Sequence, residues 1–271
     1  MTTLPLPKLP LTAALPALAG GLSLAACGQR NVSSQAQALL APITTPAGFE
    51  IGKLSLSGRV ALKGSPPKVD VVVDASGDPH CRKHPPISTE NWKVSPRGGL
   101  AEVVISIPDA PPTLPEGSAP HVTQEGCRYL PHVIALSRAE TLEVSNGDAT
   151  FHNVRVVEHR KGTLNQGVNV INYSQPGRGS RNTHAFASSG IFRLECDVHR
   201  WMQCWVFVAD NNHLAVSGDD GTFELKRGLR DGTYTVQAWH HHFAEPLTKS
   251  VTVVEGKAEV NFEFDGAQAL N

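Results

Sequence analysis

The chain has 271 residues, enough for two compact domains or for one large β domain with additional segments. Its formal net charge of −1 gives no electrostatic basis for binding nucleic acid, and we expect no nucleic-acid partner. The 24 glycines, 20 prolines and a charged fraction of 18% are typical of short strands joined by turns.

Residues 1–26 have the features of an export signal. One charged residue, Lys8, precedes an apolar run that ends in LAAC, with the cysteine at Cys27. Small residues before the cut suit a signal peptidase, and the LAAC sequence resembles the lipobox of bacterial lipoproteins. We expect a signal peptide over 1–26, a lipid on Cys27 and a polar tether over 27–52. An ordinary secretory signal that contains this cysteine is the alternative.

Either signal places the mature protein outside the cytosol, where disulfides persist. We expect it in the periplasm or cell envelope, attached to a bacterial membrane through the N-terminal lipid. No later segment is apolar enough to span a bilayer.

From Leu54 onward, apolar and polar residues alternate in short segments, which predicts strands. A proline-rich loop follows at 108–120, and further strand segments continue beyond it. Asp-Gly at 220–221 indicates a turn, and Glu255-Gly256 predicts a final hairpin. No segment has a sustained helical period. The sequence predicts an all-β protein built from β-sandwiches.

One segment, CDVHRWMQC at 196–204, concentrates metal-binding side chains. The sequence has two methionines, and Met202 is the one that remains after signal removal. One Cys, two His and a weak axial Met are the ligands of blue copper. The second histidine should come from a distant strand, and His152 lies at the head of one. We therefore expect one type 1-like copper ion, held by His152, Cys196, His199 and Met202.

The C-x2-H-x2-M spacing in CDVHRWM resembles the short ligand loop of amicyanin-type cupredoxins. The segments YLPHV, TLEVSNGD, HNV and GIFRLEC resemble the two halves of a cupredoxin domain. This resemblance implies a Greek-key cupredoxin sandwich over 121–209. An N-terminal β extension over 53–120 would pack on it, and a small carboxypeptidase-regulatory-like or transthyretin-like β domain would follow over 210–265. The whole is similar to exported bacterial proteins, some of which are named for methylamine utilisation.

The resemblance also implies roles for individual residues. The two histidines and Cys196 would be equatorial ligands, and Met202 would be axial. Asn153 would connect the two ligand loops through the backbone or side chain of Asp197 and hold the site rigid. His199, near the exposed end of its loop, would be the exit for the electron, with Trp201 beside it.

Cys204 leaves alternatives open. A Cys196–Cys204 disulfide would remove the copper thiolate and leave a module without metal. A zinc site could use His152, Cys196, His199 and Cys204. The interpretation that we favour places Cys204 on the opposite face of its strand as a small buried residue.

The remaining cysteines are Cys81 and Cys127, and in an oxidising compartment we expect them to form a disulfide. The alternative is that HCRKH at 80–84 binds metal through His80, Cys81 and His84.

Three consecutive histidines, His240, His241 and His242, follow a predicted strand. Because neighbouring strand residues point to opposite faces, we expect a solvated loop there, with an accessory copper site or a cover near the main site as the alternative. We expect His132 to be a structural histidine with its hydrogen bonds satisfied.

The sequence has no nucleophile elbow and no glycine-rich phosphate loop, so we expect no enzyme. The predicted function is periplasmic one-electron transfer with a redox partner protein. Copper storage or delivery, or a metal-free module that binds carbohydrate or envelope partners, is the alternative.

Overall fold

A computed structural model of the chain describes residues 55–67, 70–113, 117–225 and 229–270. The predicted signal over 1–26, the lipidated Cys27 and the tether over 27–52 lie outside these residues. None of the helical segments in the described part is long and apolar enough to cross a membrane. Those segments are two 3-10 turns, Cys81–Lys83 and Gly266–Gln268, so the predicted all-β class is confirmed.

The strands of the described residues are short and follow one another through most of the chain. In chain order they are β1 (Ser55–Lys63), β2 (Val104–Ser106), β3 (His121–Gln124), β4 (Tyr129–Leu130), β5 (Val133–Ser137), β6 (Thr141–Asn146), β7 (His152–His159), β8 (Gly167–Gln175), β9 (Arg181–Ala185), β10 (Gly190–Glu195), β11 (Gln203–Ala209), β12 (Leu214–Val216), β13 (Thr222–Leu225), β14 (Gly232–Trp239), β15 (Leu247–Val253), β16 (Lys257–Glu259) and β17 (Phe262–Asp265).

Strands β3 to β11 form two sheets with one core between them. One sheet has the order β4-β3-β6-β9 and the other β5-β11-β10-β7-β8. Alternate residues of β6, Leu142 and Val144, pack in the same buried cluster as Leu194 of β10 and Val206 of β11. This period-2 pattern allows each strand to bury one face against the facing sheet.

The remaining strands show that the predicted domain division needs a correction. β1 pairs with β13, β16 and β17, and β2 pairs with β12 and β14. The segments predicted as an N-terminal extension (53–120) and a separate C-terminal domain (210–265) therefore build their sheets jointly. Val60 of β1 and Ile105 of β2 share one core with Phe223 and Val236, so each segment covers apolar residues of the other.

A third, smaller core joins the two halves. Trp205 of β11 and Trp239 of β14 have ring centroids 6.1 Å apart and pack with Val104 and Val133. β11 contributes side chains to two cores, one on each of its faces. Cys204 and its alternate neighbours pack in the core between the β3–β11 sheets, while Trp205 packs in the smaller core. The continuous apolar sequence CWVFVA is typical of a strand that is buried on both faces.

Candidate metal centre

Two segments that are distant in sequence meet at one end of the five-stranded sheet. β10 and β11 form a hairpin in which Glu195 pairs with Gln203, so 196–202 is the connecting loop. β7 runs antiparallel beside β10, with Arg155 opposite Glu195. His152, the first residue of β7, therefore lies at the same end of the sheet as the loop.

Three of the four predicted ligands converge there. The ligand atoms of His152, Cys196 and His199 all lie within 4.8 Å of one another, and all three residues are buried. The two Nδ1 atoms are 3.0 Å apart, and the Cys196 Sγ lies 3.8 Å from the Nδ1 of His199. Two imidazoles and a thiol form a donor set that suits copper or zinc.

Two aspartates orient the imidazoles. The His152 Nε2 lies 3.0 Å from the Asp148 Oδ2, and the His199 Nε2 lies 3.2 Å from the Asp78 Oδ2. An ionised carboxylate can only accept, so each Nε2 carries a proton, and in the neutral, metal-binding form of each ring the Nδ1 presents a lone pair. Two lone pairs that face each other at 3.0 Å favour a cation between them. The residues present therefore fit a metal ion, with the carboxylates in the orienting role common around metal-bound histidines.

Hydrogen bonds keep both carboxylates ionised. Burial raises the pKa of the Asp78 carboxyl, but hydrogen bonds led by the one from the Cys81 amide outweigh it and lower the pKa to about 2. Burial also raises the pKa of Asp148, while hydrogen bonds from His152 and from the Cys127 amide hold it well below its usual range. Both aspartates are negatively charged at neutral pH and favour a cation at the centre.

The environment of Cys196 favours its thiolate. Burial raises the pKa of this thiol, but the polar contacts with the His152 and His199 imidazoles and a hydrogen bond from the Asn153 backbone amide lower the pKa to about 6. Burial lowers the pKa of His152, and hydrogen bonds with Asp148 and Cys196 raise it overall. A thiolate is the form that binds metal, so the metal-free site already favours the metal-binding form of Cys196.

Asn153 joins the ligand strand to the ligand loop. Its Oδ1 accepts a hydrogen bond from the Asp197 amide at 2.7 Å, and its Nδ2 donates to the Asp197 Oδ2 at 3.0 Å. The same Nδ2 donates to the Oδ1 of Asn172 on β8 at 2.8 Å. The contact predicted between Asn153 and Asp197 is thus made through both backbone and side chain.

Met202 closes the loop. Its amide donates to the His199 carbonyl at 2.8 Å, and its carbonyl accepts from the Cys196 amide at 3.3 Å. The side chain is buried in the core that also holds Cys196, and both residues line one cleft.

His199 is not near an exposed end of its loop, which corrects the prediction that it provides an open exit for the electron. Its exposed fraction is 2%. A loop over residues 70–89 covers it, with the Asp78 carboxylate at one side and the Cys81 Sγ 3.6 Å from its Nε2. Cys81 forms the predicted disulfide with Cys127, so the covering loop is covalently attached beside the centre. The cover comes from a distant segment, which the local spacing could not indicate.

Cys204 lies outside the ligand group. Cys196 and Cys204 are both free and buried, so the alternative disulfide between them is not formed. Within the described residues, the group that contains Cys196 has His152 and His199 as its other members. Cys204 packs in the core on the opposite face from Trp205, because side chains alternate along β11.

Two further histidine segments differ from expectation. His240, His241 and His242 are buried, so the predicted solvated loop is wrong: Trp92 and Trp205 stack on their rings. In HCRKH, Cys81 is oxidised, which removes the thiolate that the alternative metal site required.

Sequence reasoning missed the two orienting aspartates. Asp148 stands in the turn before His152, and this N-G-D turn was the available signal. Asp78 lies in the 70–89 loop, 121 residues before His199, and no pattern in the sequence connects the two.

The chain is similar to several solved structures over part of its length. No protein-family model and no curated protein sequence matches it. Among solved structures, a purple cupredoxin from Nitrosopumilus maritimus is 18% identical with a TM-score of 0.29, over 33% of this chain and 99% of that one. Amicyanin from Paracoccus versutus is 21% identical with a TM-score of 0.28, over 38% and 96%. A copper-containing nitrite reductase from Thermus scotoductus SA-01 is 19% identical with a TM-score of 0.29, over 36% of this chain and 24% of that one.

Proposed function

We propose that this chain is an exported, lipid-anchored mononuclear copper protein that transfers single electrons in the periplasm or cell envelope. One observation carries the proposal: the ligand atoms of His152, Cys196 and His199 lie within 4.8 Å of one another in a buried pocket. Met202, buried in the same core, is the proposed axial ligand.

The residues around the centre would keep the ligands in place when the charge of the site changes. Copper held there would supply a Cu(II)/Cu(I) couple with thiolate, imidazole and thioether donors. Asp148 and Asp78 fix the two rings, and Asn153 fixes the loop against β7. Because the site is buried and further hydrogen bonds hold both imidazoles and the loop, both oxidation states would share nearly one geometry, which suits electron transfer.

The covering loop decides where a redox partner protein would bind. The His199 ring is buried, while its neighbour Val198 has an exposed fraction of 54%. Val198, Trp201 and Asp78 line one cleft above the histidine. The partner would contact this surface and exchange the electron through the cover, not through a bare imidazole edge.

Export and anchoring remain part of the proposal. The LAAC sequence at Cys27 supports a lipid anchor. The Cys81–Cys127 disulfide is typical of an oxidising compartment such as the periplasm. A Cys27→Ala variant should move from the membrane fraction to the soluble periplasmic fraction, and an unchanged distribution would contradict lipid anchoring.

The copper assignment is tested by absorption spectroscopy. The purified protein loaded with Cu(II) should show an intense thiolate-to-copper charge-transfer band in the visible region. Cys196→Ser should abolish this band, because it removes the thiolate. Cys204→Ser is the matched control: it also replaces a buried free cysteine, but one outside the ligand group, and the band should persist.

A colourless wild-type protein at saturating copper would refute the copper proposal. A coloured protein without a reversible voltammetric wave would instead favour copper storage or delivery over electron transfer.

A further inference from the structure

A second group of buried imidazoles lies between the two halves of the described structure, apart from the centre above. His240, His241 and His242 follow β14, and His132 precedes β5. Each has an exposed fraction of 4% or less. The rings of His132 and His241 meet edge to face, with centroids 5.6 Å apart. Side chains that ordinarily seek water are here enclosed by protein.

His132 is oriented by a carboxylate. Its Nδ1 lies 2.8 Å from the Glu102 Oε2, and Lys93 forms an ion pair with the same glutamate. The carboxylate accepts, so the Nδ1 carries the proton and the Nε2 presents a lone pair. That Nε2 is buried and has no hydrogen-bond partner among the described residues. Glu102 has a φ of 62°, a left-handed conformation that non-glycine residues adopt at a cost and that clusters at functional sites.

His241 presents a second lone pair. The Asn91 backbone carbonyl accepts a hydrogen bond from its ring. Its Nδ1 is buried and also lacks a partner within the described ranges, so the proton is on the Nε2. Trp205 stacks on the ring at a centroid distance of 5.2 Å and limits its rotation. Two imidazoles therefore each have one nitrogen oriented by the protein and the other nitrogen unused.

The charge state agrees with a ligand role. Burial, followed by the repulsion of His240 and His242, holds the pKa of His241 well below its usual range. The ring is neutral at physiological pH and can only accept at its Nδ1. A buried acceptor without a donor is unfavourable, and a cation bound by both unused nitrogens would remove this cost.

A path from solvent reaches this group. A cleft of about 270 Å³ is lined by His241 and His242 and extends to Arg200 and Trp201 of the ligand loop. Solvent in this cleft could complete the coordination of an ion bound by two protein imidazoles. Imidazole and water ligands suit divalent ions such as Cu(II) and Zn(II).

We propose that His132 and His241 form a second metal site for a divalent cation of the copper or zinc class, with Glu102 as the residue that positions His132. The site rests on the unused nitrogens, the carboxylate–histidine pair and the cleft. It is independent of the thiolate centre, because it shares no ligand with that centre.

Metal stoichiometry tests the site. The full chain is saturated with Cu(II) in excess glycine, desalted, and analysed for copper per chain and for the visible band. We expect two ions in the wild type. His241→Phe keeps the ring stacked on Trp205 and should lose one ion while the thiolate band remains. His132→Phe should do the same. His184→Phe, which replaces a histidine outside the group, should keep both ions.

The two centres fail in different ways. Cys196→Ser should remove the band yet retain the ion that His241→Phe removes. One ion per wild-type chain at saturating copper, in protein that shows the thiolate band, would overturn the second site without recourse to any variant. Two ions in both phenylalanine variants would overturn the assigned ligands. A second ion that glycine removes is adventitious and would also overturn the proposal.

Discussion

The Cys81–Cys127 disulfide should be a major source of stability. It links residues with a sequence separation of 46. Chain-entropy arithmetic for a closed loop of this length gives about 4 kcal/mol, because the crosslink restricts the unfolded chain. Cys81→Ala/Cys127→Ala should therefore unfold at a clearly lower urea concentration. The slope m of the urea dependence should rise, since the unlinked chain exposes more surface when it unfolds.

The double variant also removes two buried sulfur atoms, which requires a control. Cys204→Ala removes one buried sulfur and no crosslink, so it measures the packing cost by itself. The double variant should lose about 4 kcal/mol more than twice the Cys204→Ala loss. Urea unfolding followed by far-UV circular dichroism, on metal-free protein, gives both values. A double variant that loses no more than twice the control loss would refute the entropic reasoning.

Three further predictions concern single residues. Asp148→Asn keeps the size of the side chain but removes the charge that orients His152. Copper affinity, measured by competition with a chelator, should therefore fall about 10- to 100-fold. An unchanged affinity would contradict the orienting role. Burial lowers the pKa of His240 from its ordinary value of about 6.5 to about 3, so the unfolded chain takes up this proton first as the pH falls. Below pH 6.5, this group should lower the free energy of unfolding of the metal-free protein by up to about 1.4 kcal/mol per pH unit. His240→Phe should therefore reduce the slope of the free energy of unfolding against pH. An equal slope in the variant and the wild type would count against the burial argument. Gly221 has a φ of +82°, and a Cβ there would lie 2.3 Å from the Val60 carbonyl oxygen. Gly221→Ala should cost about 1–3 kcal/mol in thermal unfolding, and a stability equal to wild type would show that the turn can relax.

The metal centre shows how far local patterns extend. The spacing of Cys196, His199 and Met202 predicts a ligand loop because one hairpin supplies all three residues. His152 was found because it heads a strand after a turn, and that strand lies beside β10. Asp78 could not be found in this way, since its contact with His199 depends on how a remote loop folds over the hairpin.

The histidine triplet shows the opposite outcome. Polar residues in sequence after a strand predict exposure, and for His240 to His242 that prediction is wrong. These residues are buried because Trp92 and Trp205 come from other segments and cover them. Burial of a polar residue depends on its tertiary neighbours, which periodicity within one segment does not contain.

The strand class, the hairpin loop that carries the candidate ligands and the Cys81–Cys127 pair could all be predicted from the sequence. Strand periodicity, short hairpins and the number of available thiols are local or compositional properties. Which strands share a sheet depends on tertiary packing and could not be predicted in this way. The Glu255-Gly256 turn closes a hairpin as expected, because Val254 and Lys257 pair across it. The strand that follows, β16, also pairs in parallel with β1 from the other end of the described chain, which the turn does not predict. Likewise, His199 and the histidine triplet are covered by segments that meet only when the chain folds. These segments meet because burying their apolar surfaces against one another is more favourable than burying each surface within its own segment.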